Sequence, residues 1–132
     1  MYTNIQINDG IDVTMKYLAE NRCDLFGLSL SNVYDIMSFI LHNNVFEFNK
    51  KFNHQFSGLA MGSRIAPIIA ITTLDYYEKS NLTQIYTIGV KLYKRYVDDC
   101  FLLVNKTTTS ESVLQLFNSA HPSIKFEVEN ED

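Results

Sequence analysis

The stretch Lys91-Leu92-Tyr93-Lys94-Arg95-Tyr96-Val97-Asp98-Asp99-Cys100-Phe101-Leu102-Leu103-Val104 decides how this chain reads. Two largely apolar arms, 91–97 and 100–104, flank adjacent aspartates, the pattern of a β-hairpin with carboxylates at its tip. Neighbouring carboxylates repel each other. A divalent cation relieves that repulsion, because hard oxygen donors are what Mg²⁺ prefers. Two such ions about 3.5–4 Å apart clamp the attacking hydroxyl and the leaving phosphate of an in-line phosphoryl transfer. The bland alternative is a solvated turn that happens to hold two aspartates, and Asp98-Asp99 alone does not separate the two.

Working outward, the pattern upstream alternates between helix and hairpin. Asn8 or Asp9 is placed to cap a helix with an apolar stripe of Ile11, Met15 and Leu18. A second helix is expected from Ser31, with Val33, Ile36, Met37, Ile40 and Leu41 on one buried face. The period then drops to two. Phe46 and Phe48 alternate with Glu47, Asn49-Lys50 turns, and Phe52, His54 and Phe56 share a face on the return. That is a hairpin at about 44–56, with Asn49 best able to take a left-handed conformation. A Gly-containing loop, 57–62, leads to a third helix expected from about Ser63 to Glu78, with Pro67 in its first turn and Ile69, Thr73, Leu74 and Tyr77 inward.

Downstream of the aspartates, Thr108 and Glu111 form a candidate capping box for a helix containing Val113, Leu114 and Phe117. Ile124, Phe126 and Val128 alternate with charges and read as a half-buried strand. The resulting class is α+β, helices packed on one face of an antiparallel sheet. No repeat, low-complexity tract or Pro/Gly linker marks an internal domain boundary.

Composition bounds the function. A single domain of 132 residues buries about 65–70% of its unfolded surface. Hydrophobic content of 46% and charged content of 20% are those of a globular protein. No apolar run reaches the roughly 18 residues of a membrane span, and the first residues show no secretory signal pattern. Cys23 and Cys100 lack metal-ligand spacing and read as reduced intracellular thiols. The formal charge of −4 counts against a free-standing nucleic-acid binder, since neutralising phosphates takes a basic surface. An acidic balance suits a core that collects metal ions.

Arg95-Tyr96-Val97-Asp98-Asp99 resembles the Tyr-x-Asp-Asp motif of reverse transcriptases, and a second match precedes it. Gln55-Phe56-Ser57-Gly58-Leu59-Ala60-Met61-Gly62-Ser63-Arg64-Ile65-Ala66-Pro67 is similar to the segment in which a Gly-Ser turn opens the palm helix beside the incoming nucleotide. Glycine lets backbone approach a sugar or base closely there. Tyr2-Thr3-Asn4-Ile5, Ala60-Met61-Gly62-Ser63 and Asn118-Ser119-Ala120-His121-Pro122-Ser123-Ile124-Lys125-Phe126 narrow the resemblance to Penelope-like retroelements, a class of retrotransposon, nearly end to end.

The resemblance implies a partial polymerase palm carrying a fingers-type hairpin, with the first catalytic strand and the thumb lying outside 1–132. In the family that strand reads Asp-Val-x-Ser-Leu-Tyr-Thr-Asn-Ile. Met1 stands at its Leu, which puts the first catalytic aspartate five residues before Tyr2. The implied activity is that of an RNA-directed DNA polymerase, a nucleotidyltransferase adding dNTPs to a DNA primer on an RNA template with two Mg²⁺ ions. Asp98 and Asp99 would be the catalytic metal ligands, with Tyr2, Gln55, Gly58, Gly62 and Ser63 binding the nucleotide. Without the upstream aspartate the chain is expected to be inactive alone. Its setting would be intracellular, nuclear for an active retroelement, with no membrane partner. The alternatives are a non-catalytic retroelement remnant and a nucleic-acid-binding module.

This chain departs from the family pattern Gly-Ser-Pro-Leu-Ser-Pro, having Gly62-Ser63-Arg64-Ile65-Ala66-Pro67. Arg64 either meets phosphate or template, or sits on an exposed helix. Lys125 either neutralises pyrophosphate or lies on the wet face of a strand. Lys91, Lys94 and Arg95 either touch the primer backbone or are solvated. His42, His54 and His121 show no ligand spacing, and Tyr76-Tyr77 reads as helix packing. Loss of the first palm strand is expected to leave an edge of the 91–104 hairpin unpaired, an aggregation hazard.

Overall fold

The computed structural model describes residues 2–21 and 23–129, with only the backbone of Tyr2. The protein is α+β, and the described residues form four α-helices and two separate two-stranded antiparallel sheets. A short 3₁₀ turn, Tyr2–Asn4, precedes α1 (Ile7–Glu20) and α2 (Leu30–His42). A hairpin of β1 (Val45–Phe48) and β2 (Lys51–His54) follows, and then the long α3 (Ala66–Thr87). The second hairpin pairs β3 (Val90–Tyr96) with β4 (Asp99–Val104), and α4 (Ser110–Ser119) comes last. Two compact units divide the chain, 1–73 and 74–132. The division falls inside α3, a continuous helix, which is why no composition shift marks it.

In the first unit, α1 begins earlier than expected. Gln6 is its N-cap and makes no side-chain cap bond, while Asn8 and Asp9 lie within the first turn. Ile7, Gly10, Ile11, Val13 and Thr14 are its buried positions; Met15 and Leu18 are half-buried. α2 starts one residue before the expected Ser31, because Ser29 closes a capping box with Asn32. Ser29 Oγ accepts from the Asn32 amide, and Asn32 Oδ1 accepts from the Ser29 amide, each at 3.1 Å. Only Met37 and Leu41 of its expected apolar face are buried, and Ile36 and Ile40 are exposed.

The first hairpin has the expected turn. Asn49 and Lys50 both take positive φ, 51° and 60°, the sign pattern of a type I′ turn. Its strands, however, are exposed at every position. Phe52 and His54 share one face of the return strand, as expected, with Phe56 beyond the strand's end; the register sets Glu47 opposite Phe52 and Val45 opposite His54. Phe46 and Phe48 therefore occupy one face, and Phe52 and His54 the other.

α3 starts at Ala66 rather than Ser63, since 60–63 forms a turn in which the Ser63 amide donates to the Ala60 carbonyl. It also runs past Glu78 to Thr87, having no Gly or Pro in the interval to stop it. The second unit packs its end, the second hairpin and α4 around Ile85, Val90, Val113 and Phe117. Tyr93 and Leu102, opposite each other in register, turn one face of the hairpin toward this cluster. α4 is capped by Thr109, whose hydroxyl accepts from the Ser112 amide. The expected cap Thr108 donates instead to the Ile88 carbonyl at 2.7 Å.

The final expected strand is not a strand. Residues 124–129 take no ladder partner; the Asn118 side chain serves instead, accepting from the Phe126 amide at 2.7 Å and donating to its carbonyl at 3.2 Å. Ile124 is buried and Phe126 half-buried, so the alternation reports burial without a sheet. Each sheet has two strands, and both outer edges of the β3–β4 hairpin are unpaired among the described residues. Among those residues, no helix is long and apolar enough to cross a membrane.

Candidate functional site

The candidate site residues fall in both units. In the first unit, residues 2–4 and 55–58 come together. Gln55 Nε2 donates to the Ser57 and Gly58 carbonyls at 2.9 and 3.2 Å, folding the loop back on its own side chain. Gly58 takes φ +75°, and a Cβ there would stand 2.5 Å from the Thr3 carbonyl oxygen. Only glycine lets this loop lie against the 3₁₀ turn that contains Tyr2. The Tyr2 side chain itself, and Met1, lie outside the described residues.

Gly62 has φ +97° with open space where a Cβ would be, so backbone conformation rather than crowding favours glycine. Ser63, half-buried, leads into the helix through a bond from the Ala66 amide to its carbonyl. Arg64 is exposed.

In the second unit, the register Tyr96↔Asp99 makes Val97-Asp98 the two-residue loop of the hairpin. Asp98 sits at the turn and Asp99 opens β4, both exposed. Successive residues of a strand face opposite sides, and the pairs split accordingly. Tyr93, Leu102, Arg95 and Cys100 face inward, while Leu92, Lys94, Tyr96, Asp99, Phe101 and Leu103 face outward. Val97 takes φ +56°, the sign of the first central position in a type II′ turn, normally a glycine's.

Beneath the tip lies a cluster that pattern reading passes over. Glu78, on α3, is buried, and Arg95 Nε stands 2.5 Å from its Oε1 without hydrogen-bond alignment. The Tyr93 hydroxyl donates to the same carboxylate oxygen and lies 3.4 Å from Cys100 Sγ. Burial, reinforced by Cys100 and Glu78, pushes the Tyr93 phenol far up. Burial likewise raises the Cys100 thiol, against a hydrogen bond to Tyr93 that lowers it. Burial pulls the Arg95 guanidinium down, and the Glu78 carboxylate more than offsets it, so Arg95 stays cationic. Arg95 therefore faces a protein carboxylate, which corrects the expectation of either a primer contact or a solvated charge. The signal was present: Glu78 stands with Leu74, Asn81 and Ile85 at helical spacing on the buried stripe.

Lys91, Lys94 and Lys125 are exposed, and several other charged and ring residues make contacts within the chain. Lys125 Nζ donates to the Asn118 carbonyl at 3.4 Å. His54 Nε2 lies 2.8 Å from the His42 carbonyl, and His121 packs against Tyr77 with ring centroids 4.6 Å apart. Tyr76 and Tyr77 meet edge to face at 5.4 Å. Cys23 and Cys100 are free thiols.

Asp98 and Asp99 supply two exposed carboxylates. Among the described residues no group of three or more His, Cys, Asp or Glu is gathered as a metal site. Two carboxylates suit Mg²⁺, which keeps several waters and completes its shell with substrate phosphates. The chain matches no protein-family model, no curated protein and no solved structure.

Proposed function

We propose that the chain is a fragment of a reverse transcriptase, an RNA-directed DNA polymerase of the Penelope-like kind. One observation carries this reading. The Tyr96-Val97-Asp98-Asp99 segment forms a tight antiparallel hairpin with both carboxylates exposed at its tip, downstream of a Gly62-Ser63 turn that opens a long helix. Sequence order and local structure thus agree for two motifs. In this reading the second unit is the hairpin-bearing part of the palm and β1–β2 is the fingers hairpin.

Asp98 and Asp99 would hold Mg²⁺, which when bound stabilises charge on the transferring phosphoryl group. Gly62 and Ser63 would border the nucleotide, and Gln55 and Gly58 would fix the loop beside Tyr2. RNA template, DNA primer and dNTPs are the partners of this reading, with a nuclear setting if the parent element is active. The third carboxylate belongs, by the same resemblance, five residues before Tyr2, so residues 1–132 alone would not extend a primer.

The test is primer extension on an RNA template, using this chain joined to the residues encoded immediately upstream. The expected result is Mg²⁺-dependent dNTP incorporation that falls by about 10²–10³-fold in Asp98→Asn, in line with the scale of transition-state charge stabilisation. Absence of an aspartate at the fifth residue before Tyr2, or activity indifferent to Asp98→Asn, overturns the proposal.

A further inference from the structure

The turn carrying the aspartates is held in a conformation its own sequence disfavours. Val97 is β-branched, and φ +56° is outside the region such a residue normally occupies. Strain of this kind persists only where surrounding structure over-determines it. Beside the strand ladder and the packing of Tyr93 and Leu102, one chain of contacts reaches the turn itself. Arg95 Nη1 donates to the Val97 carbonyl at 2.9 Å. The same guanidinium meets the Glu78 carboxylate through Nε, and Tyr93 donates its hydroxyl to that carboxylate.

We infer that Glu78 and Arg95 are positioning residues for the Asp98–Asp99 tip, fixing the left-handed turn at Val97 through the Val97 carbonyl. A guanidinium is suited to this because its charge can pair with the carboxylate through one edge while a separate N–H donates to the carbonyl. The side chains of Arg95 and Glu78 are 13% and 9% exposed. Neither charge would be stable at such a depth without the other. Glu78 thereby ties the tip to α3, and Tyr93, two residues before Arg95 on the same inward face, keeps the carboxylate oriented.

The role of these residues in metal binding rests on the polymerase reading; their hold on the turn does not. The informative variant is Glu78→Gln/Arg95→Met, which removes the donor to the Val97 carbonyl and leaves no orphan charge. Two readouts on the 132-residue chain are the φ of Val97, from NMR couplings and backbone shifts, and Mn²⁺ affinity, from paramagnetic broadening of the Asp98 and Asp99 amides. In the double variant Val97 should leave the left-handed region and Mn²⁺ affinity should fall about tenfold, the scale of one strained residue released. Adding Val97→Gly should restore affinity, because glycine takes positive φ without help. A Val97 that stays left-handed in the double variant overturns the inference, as does a loss of affinity that Val97→Gly does not recover. Wild-type Mn²⁺ binding insensitive to Asp98→Asn would sink the metal reading, and the Val97 conformation would still decide the clamp.

Discussion

The two hairpins are built from similar material and held by different means. The first turns at Asn49-Lys50 and exposes every strand residue, including Phe48 and Phe52. Asparagine enters the left-handed region at little cost, and the two-residue loop matches the twist of the strands. Local preference favours the turn at Asn49, while Lys50 takes the second left-handed position, where glycine is usual. The second turns at Val97-Asp98, where local preference opposes the fold. It is held by Tyr93 and Leu102 packed against the buried cluster, and by Arg95 bridging Glu78 and the Val97 carbonyl. A hairpin can thus be specified by its turn or by what it packs on. The one with carboxylates at its tip is the second kind.

The sharpest break of that contrast is in the packing. Phe117→Ala, at a buried position against Tyr93 and Phe126, should lower unfolding free energy by about 3–5 kcal/mol in urea denaturation. Phe52→Ala, 79% exposed on the first hairpin, should change it by no more than about 0.5 kcal/mol. Equal losses would mean that the first hairpin also depends on burial.

A smaller effect tests the turn. Asn49→Val should destabilise the first hairpin by about 1–2 kcal/mol, since a β-branched residue is forced left-handed with no clamp to hold it. The checks are amide hydrogen exchange across Val45–His54 and the shift of the Asn53 amide. Unchanged protection would show that an unsupported turn tolerates valine, and the contrast with Val97 would dissolve.

The mildest effect is electrostatic and confined to the second unit. Cys100 and Tyr93 both have folded pKa values raised by burial. For groups raised in this sense, stability is complete below the unfolded pKa and is lost as pH climbs toward the folded one. Melting temperature should therefore decline above about pH 8.5, where an unfolded thiol begins to ionise. Cys100→Ser should flatten the first part of the decline. Alkylation of Cys100 at pH 8 should also be slower than that of a free cysteine; a rate equal to free thiol would remove the burial argument.

How much was legible depended on whether each residue's role was local. The Asn49-Lys50 turn, the four helices and a hairpin carrying Asp98 and Asp99 follow from spacing over a few residues; Val97, expected at the end of an arm, instead lies in the turn, and Asp99, expected at the tip, opens β4. Helix starts were displaced where a neighbouring polar side chain won, as with Ser29 and Asn32, or Thr109 over Thr108. The last apolar alternation suggested a strand, but Asn118 supplied the hydrogen bonds that a partner strand would have given Phe126. Gly58 was legible as a candidate, yet its crowding against Thr3 needed the two segments to meet.

By itself the sequence determined the α+β alternation, the two hairpins and the pair of carboxylates on the second, because periodicity and turn residues act within a few positions. Only the tertiary structure decided what lies under those carboxylates. Glu78 and Arg95 are separated by a helix end, a turn and most of a strand, and their pairing satisfies two buried charges that neither segment could satisfy alone. The left-handed Val97 follows from that meeting, since its own side chain favours another conformation.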